Sequence, residues 1–138
     1  MKTLNSINRK GGIQTLLLKD AYCHAKIENP TFLTKIEDSI KHHGMQNPVV
    51  VVPITIGRWR DLKEYNPDIL PPPEGAVDKV VMQVRCGNNR VRAARTLGYD
   101  TIDCIVVKKM QDSNSLCLQQ REEQNKWAST NQYGQWSV

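Results

Sequence analysis

Four residues near the middle of the chain, Gly87-Asn88-Asn89-Arg90, have types and an order suited to holding a negatively charged oxygen cluster. Glycine lets the backbone turn sharply and lets a ligand come close. Unpaired N–H groups at a helix start point outward, and the helix dipole favours negative charge there. Arg90 adds a planar guanidinium that can fork onto two phosphate oxygens. Asn88 and Asn89 supply amide donors or cap the helix. Arg85, Arg90, Arg92 and Arg95 fall within eleven residues, with no acidic residue among them. A glycine turn with an ordinary Asn cap and an exposed arginine gives the same letters, since short glycine-rich signals are weak alone.

Other residues carry thinner signals. His42-His43 closes a predicted helix, where the dipole favours a cation; His43 could also serve as a general base, because imidazole titrates near neutral pH. Glu28, Glu37 and Asp38 are the acids that could hold a metal, with Glu28 the better placed, in the loop before that helix. Solvated helix surface is the plainer account of all three. Arg58-Trp59-Arg60 could grip nucleic acid, Trp stacking a base and Arg taking phosphates; Trp59 could equally fold back on the core. Cys23, Cys86, Cys104 and Cys117 include no Cys-x-x-Cys pair and no zinc-finger spacing. They read as reduced, mostly buried thiols.

The elements that must position these residues follow from periodicity and breakers. Asn29-Pro30 starts a helix, Phe32, Leu33, Ile36 and Ile40 give it one apolar face, and Gly44 ends it. Ile13–Leu18, Val49–Val52, Lys79–Arg85 and Ile102–Val107 read as strands. The sequence predicts helices over Arg90–Leu97 and Ser113–Trp127, the second capped by Asp112 or Ser113. Residues 1–12 read as a flexible arm, 13–127 as one domain and 128–138 as a polar tail. Lys19–Glu28 reads as loop, and Pro53–Asp78, with Pro71-Pro72-Pro73, as a long loop insertion. Strands and helices thus mix in one α+β domain. The tail aromatics Tyr133 and Trp136, with Trp127, would pack on the domain or on a partner subunit, so a homodimer is among the expected partners.

Bulk properties bound the function. The 138 residues fit one core, and the net charge of +5, from 19 basic and 14 acidic residues, modestly favours a polyanionic partner. No apolar run approaches the roughly 20 residues of a membrane helix. No secretory signal is read at Met1–Ser6, so a cytoplasmic location is expected.

Two separated segments resemble the ParB N-terminal domain family. Ser39-Ile40-Lys41-His42-His43-Gly44-Met45-Gln46-Asn47-Pro48-Val49-Val50-Val51 is similar to that family's S-I-x-x-x-G-x-x-x-P-x-x-V. Val84-Arg85-Cys86-Gly87-Asn88-Asn89-Arg90-Val91-Arg92-Ala93-Ala94, followed by Leu97-Gly98, is similar to its G-E-R-R-x-R-A-A and Leu/Gly pair. The likeness runs from about Leu16 to Arg121. It implies the ParB/sulfiredoxin fold, a small mixed sheet with packed helices. It also implies phosphate binding through Gly87, Asn88, Asn89, Arg90 and Arg92. The phosphate belongs to CTP in ParB proteins and to ATP or ADP in sulfiredoxins and related kinases, while some ParB-like proteins are DNA nucleases. Asn88 stands where sulfiredoxins carry their catalytic cysteine, so that reductase chemistry is not expected. In the later E-N-x-x-R motif Arg121 is kept as a further phosphate contact, but Cys117 and Leu118 replace the acid and amide that help hold Mg²⁺, which wants hard oxygens.

The resulting expectation is a phosphate-binding domain that acts on DNA by binding or cutting, through Arg58, Trp59, Arg60 and Arg95 besides the turn. Short versions without a helix-turn-helix domain would suit a phage. Two alternatives stand beside it: a CTP- or ATP-binding switch or phosphotransferase using Mg²⁺, and a non-enzymatic interaction module.

Overall fold

The computed structural model describes residues 1–9, 12–27 and 29–128, with side chains as far as residue 122. Ten elements build one mixed sheet with helices packed on it: β1 (Thr3–Leu4), β2 (Ile13–Leu17), β3 (Ala21–Cys23), α1 (Pro30–His43), β4 (Val49–Thr55), α2 (Ile56–Tyr65), β5 (Val80–Cys86), α3 (Asn88–Thr96), β6 (Thr101–Val106) and α4 (Met110–Ala128). The strand order is β1-β6-β4-β5-β3, with β2 also pairing β6. β1, β4 and β2 all meet β6, the first two in parallel and β2 antiparallel. β4 and β5 run antiparallel, and β3 joins β5 in parallel. This is the α+β arrangement expected from the sequence.

The core explains the strand choices. Val49, Val51 and Val84 pack with Ile36 and Ile40 of α1 and with Val91, Ala93 and Ala94 of α3. α1 has the expected ends: the Asn29 side chain accepts from the Thr31 N–H at 3.0 Å, and Gly44 closes the helix at φ 74°. The small residues Ala93 and Ala94 let α3 lie close to α1 and the sheet.

Three segments differ from the sequence reading. The first residues are not a loose arm: Thr3 and Leu4 extend the sheet, and Ser6 bridges to Met45. Asp103, buried in β6, holds this segment by accepting from the Ser6 N–H at 2.8 Å and from the Arg9 guanidinium. Lys19–Glu28 is not all loop, because Ala21–Cys23 forms the parallel edge strand β3. Pro53–Asp78 is not one loop. Its first residues finish β4, and α2 follows, capped by the Thr55 hydroxyl accepting from the Arg58 N–H at 3.1 Å. Trp59 drives that helix onto the sheet. It is fully buried with Ile54, Ile56 and Val81, and its indole N–H donates to the Leu70 carbonyl at 2.9 Å. The irregular stretch shrinks to residues 66–79.

Asp103→Ala should remove both anchors of the N-terminal segment and leave the buried Ser6 N–H without an acceptor. We expect a loss of roughly 1.5–3 kcal/mol in denaturant unfolding; an unchanged midpoint would contradict the anchoring.

Candidate anion-binding site

The site grows from an irregularity in the sheet. Val51 pairs with Val84 but Val50 pairs with Cys86, so Arg85 is an extra residue on β5. Such a bulge bends its strand and re-aims the side chains beside it. Gly87 follows at φ 104°, ψ 27°, in left-handed backbone that glycine adopts most readily. A Cβ there would lie 2.5 Å from Val49 Cγ1 and 2.9 Å from Arg90 Nη2. The guanidinium of Arg90 therefore lies against the bare Cα of Gly87. α3 then starts at once, with the Val91 N–H returning to the Gly87 carbonyl at 2.9 Å.

Arg90 is 8% exposed, and its polar partners are all uncharged or sulfur. Nη1 donates to the Asn47 carbonyl at 2.6 Å, and Nη2 to Gln120 Oε1 at 2.9 Å and to Cys86 Sγ at 3.7 Å. Gln120 reaches back from α4, donating through Nε2 to the Pro48 carbonyl at 2.7 Å. Three parts of the chain, the Asn47–Pro48 turn, β5 and α4, are thus tied to one buried cation. Asn88 is also buried: its Oδ1 accepts from the His24 N–H at 2.9 Å. Arg92 donates to Asn89 Oδ1 at 3.0 Å and to the Ala25 carbonyl. Arg95 donates to the Leu18 carbonyl at 2.7 Å and to that of Ala21. Arg92 and Arg95 thus hold the chain on either side of β3 onto α3.

The neighbourhood is strongly positive. Burial pulls the Arg90 and Arg85 guanidiniums below their ordinary range, and Arg85 Nε is a buried donor without an acceptor. Cys86 is pulled down to about 7 by a hydrogen bond from Cys117, then by Arg90 and Arg121, against the opposing effect of burial. Cys117 is pushed up by the same bond and then by burial. His24 is pulled down to about 4 by burial and then by Arg85, so it is neutral, and its Nδ1 donates to the Val84 carbonyl at 2.6 Å. The contacts around Arg85, Arg90 and Arg121 include no carboxylate among the described residues.

The remaining sequence candidates lie elsewhere. Asp38 pairs with His42 along exposed α1 at 3.2 Å, while Glu37 and His43 occupy the same helix. Glu28 lies outside the described residues, as do Tyr133 and Trp136 and the side chain of Trp127. Trp59 belongs to the core and cannot stack a base. Arg58 and Arg60 part company: Arg60 reaches the Gly75 carbonyl at 3.4 Å, whereas Arg58 lines a cleft of about 600 Å³ with Lys108 and Lys109. Among the described residues no group of three His, Cys, Asp or Glu side chains could hold a metal. Sequence reasoning gave no role to His24, Asn47 or Cys86. Gln120 carried a signal only through its place beside Arg121 in the resembling motif.

No family model matches the sequence, and no curated protein matches it. Solved structures do. The C-terminally truncated chromosome-partitioning protein ParB from Caulobacter crescentus, complexed with CTP-gamma-S, is 17% identical at a TM-score of 0.52, the match covering 82% of this chain. It covers 54% of the ParB chain, so this chain corresponds to about half of it. Sulfiredoxin from Arabidopsis thaliana is 19% identical at a TM-score of 0.47, covering 78% of this chain and 98% of that one. The chain has the ParB/sulfiredoxin fold.

Gly87→Ala should destabilise the protein by on the order of 2–4 kcal/mol, because left-handed strain adds to the collision with Val49; a near-neutral result would contradict the tight turn. His24 predicts an acid-side loss. The unfolded chain takes the proton near 6.5 and the folded chain only near 4, so stability falls as pH drops through that window. His24→Gln should flatten the slope of unfolding free energy against pH between those values; an unaltered slope would contradict a neutral buried imidazole.

Proposed function

We propose that the mouth of α3 binds the phosphates of a nucleoside triphosphate. One observation carries the reading: Arg90 is buried without a carboxylate, beside an Arg85 Nε that has no acceptor. A buried cation with no carboxylate partner is costly unless something anionic completes it. Arg121, exposed on α4 yet close enough to lower Cys86, adds a third guanidinium on the solvent side. A small anion fits this setting better than a duplex does, since Gly87 and Asn88 are buried and the Asn88 side chain is bonded to the His24 backbone. The ParB of matching fold is complexed with a CTP analogue, which favours CTP as the first nucleotide to try.

In this reading Arg90 holds the turn rigid and supplies field, while Arg121 and the amides that open α3 make the contacts. The Mg²⁺ site that the resemblance implies does not fit these residues. Cys117 turns a thiol toward Cys86, and Leu118 is 56% exposed hydrocarbon, so neither offers the hard oxygen Mg²⁺ requires.

A second reading, DNA binding, is favoured by the cleft between β4, α2 and α4. Arg58, Lys108 and Lys109 line it together with Thr55 and Gln111, and no acidic residue among the described ones does. Phosphate contacts of this kind bind without reading sequence.

Calorimetry with CTP, ATP, GTP and UTP separates the two. At least one nucleotide should bind, and Arg121→Ala should weaken it about ten-fold, the effect of one lost charge-assisted hydrogen bond. No heat with any of the four removes the nucleotide reading. The double variant Lys108→Glu, Lys109→Glu should lower DNA affinity and reduce its salt dependence by about two counterions; unchanged DNA binding in that variant removes the second reading.

A further inference from the structure

β2 lies at an edge of the sheet, and among the described residues its strand partner is β6 alone. The phase of the ladder decides which of its backbone groups are used. The Val107 N–H donates to the Val51 carbonyl at 2.9 Å and the Thr101 N–H to the Lys2 carbonyl at 3.3 Å, so the odd-numbered residues of β6 face β1 and β4. The even-numbered residues then face β2, where Ile102 is opposite Leu16 and Cys104 opposite Gln14. The Leu18 N–H, donating to the Asp100 carbonyl at 2.9 Å, keeps the same phase. Gln14 and Leu16 thus spend their N–H and carbonyl groups on β6. Those of Ile13, Thr15 and Leu17 point away from it, and no other described residue takes them.

An open edge is normally blunted by charge, proline, a bulge or shortness of the strand. The opposite edge follows that rule. β3 has three residues, and the Ala21 and His24 carbonyls there are taken by Arg95 and by the Leu70 N–H. β2 has five residues, and the run from Gly12 to Leu18 contains neither charge nor proline. Gly12, Gln14 and Thr15 are exposed. The residues with outward backbone groups are Ile13, Thr15 and Leu17, an apolar–hydroxyl–apolar order that is the same in both directions.

We propose that β2 pairs antiparallel with β2 of a second copy of this chain, about a two-fold axis through Thr15. That register sets Thr15 opposite its own counterpart and Ile13 opposite the counterpart of Leu17. All of these residues have outward backbone groups, so each pair exchanges both of its hydrogen bonds. Residues directly opposite share a face of the sheet, which places a hydroxyl pair on the axis with an apolar pair on either side. No like charges meet, whereas a charged strand would find no counter-charge on this edge. The contact uses the same patch on both copies and closes at two. It joins the two sheets into one. A five-residue strand pair is a small interface, so the dimer is weak and forms as concentration rises. Neither the mouth of α3 nor the cleft of Arg58 contains a residue of β2, so this inference is independent of phosphate binding.

Sedimentation equilibrium of the whole protein, over a concentration series into the millimolar range, tests the pairing. The wild-type mass should rise from one chain to two and stop there. Thr15→Pro removes the N–H at the axis while sparing every bond to β6, and Thr15→Lys sets two ammonium groups against each other. Each should weaken association about ten-fold or more, with an unaltered far-ultraviolet circular dichroism spectrum. If Thr15→Pro unfolds, Thr15→Lys decides alone. A wild type that stays a single chain throughout, growth past two chains, or a dimer that both folded variants leave intact would overturn the proposal.

Discussion

A buried guanidinium organises this protein. Arg90 lies on the bare Cα of Gly87 and binds the Asn47 carbonyl, Gln120 of α4 and the sulfur of Cys86. Removing a cation from water is expensive, and neutral acceptors offset only part of that cost. The turn is therefore stable as a scaffold yet short of negative charge. Local tension of this kind is tolerated where a ligand completes the arrangement.

Much of the frame was legible in the residues. Asn29-Pro30 and Gly44 bracket α1 because cap chemistry is local, needing only neighbours in sequence. The strand–glycine–helix order at residues 80–96 was readable for the same reason. What escaped depends on distant contacts. Three residues at Ala21–Cys23 carry no periodicity, and they become a strand only because β5 offers an open edge. α2 has few apolar residues, so Arg58-Trp59-Arg60 resembled a polar loop until Trp59 found the cavity beside Ile54 and Val81. Met1–Gly12 looked unstructured because its anchor, Asp103, lies far along the chain.

The arginine cluster shows the limit of counting charges. Four arginines within eleven residues suggested one binding face. Two of them, Arg92 and Arg95, spend their donors on backbone carbonyls around β3, and Arg90 holds the turn. The charge still reaches the mouth of α3 as an electric field, since backbone carbonyls do not cancel a full cation. In the proposed reading, direct contact with a phosphate falls instead to Arg121 and the opening amides of the helix. Meanwhile Lys108 and Lys109, which no motif marked, join Arg58 in a separate basic cleft. The protein thus carries two positive surfaces with different character: one rigid and partly enclosed, the other open.

Backbone amide shifts read the enclosed surface at the mouth of α3 residue by residue. In a nuclear magnetic resonance titration with inorganic triphosphate, the amides of Asn88, Asn89 and Arg90 should shift together and saturate. Shifts confined to Lys108–Met110, or none anywhere, would contradict the account.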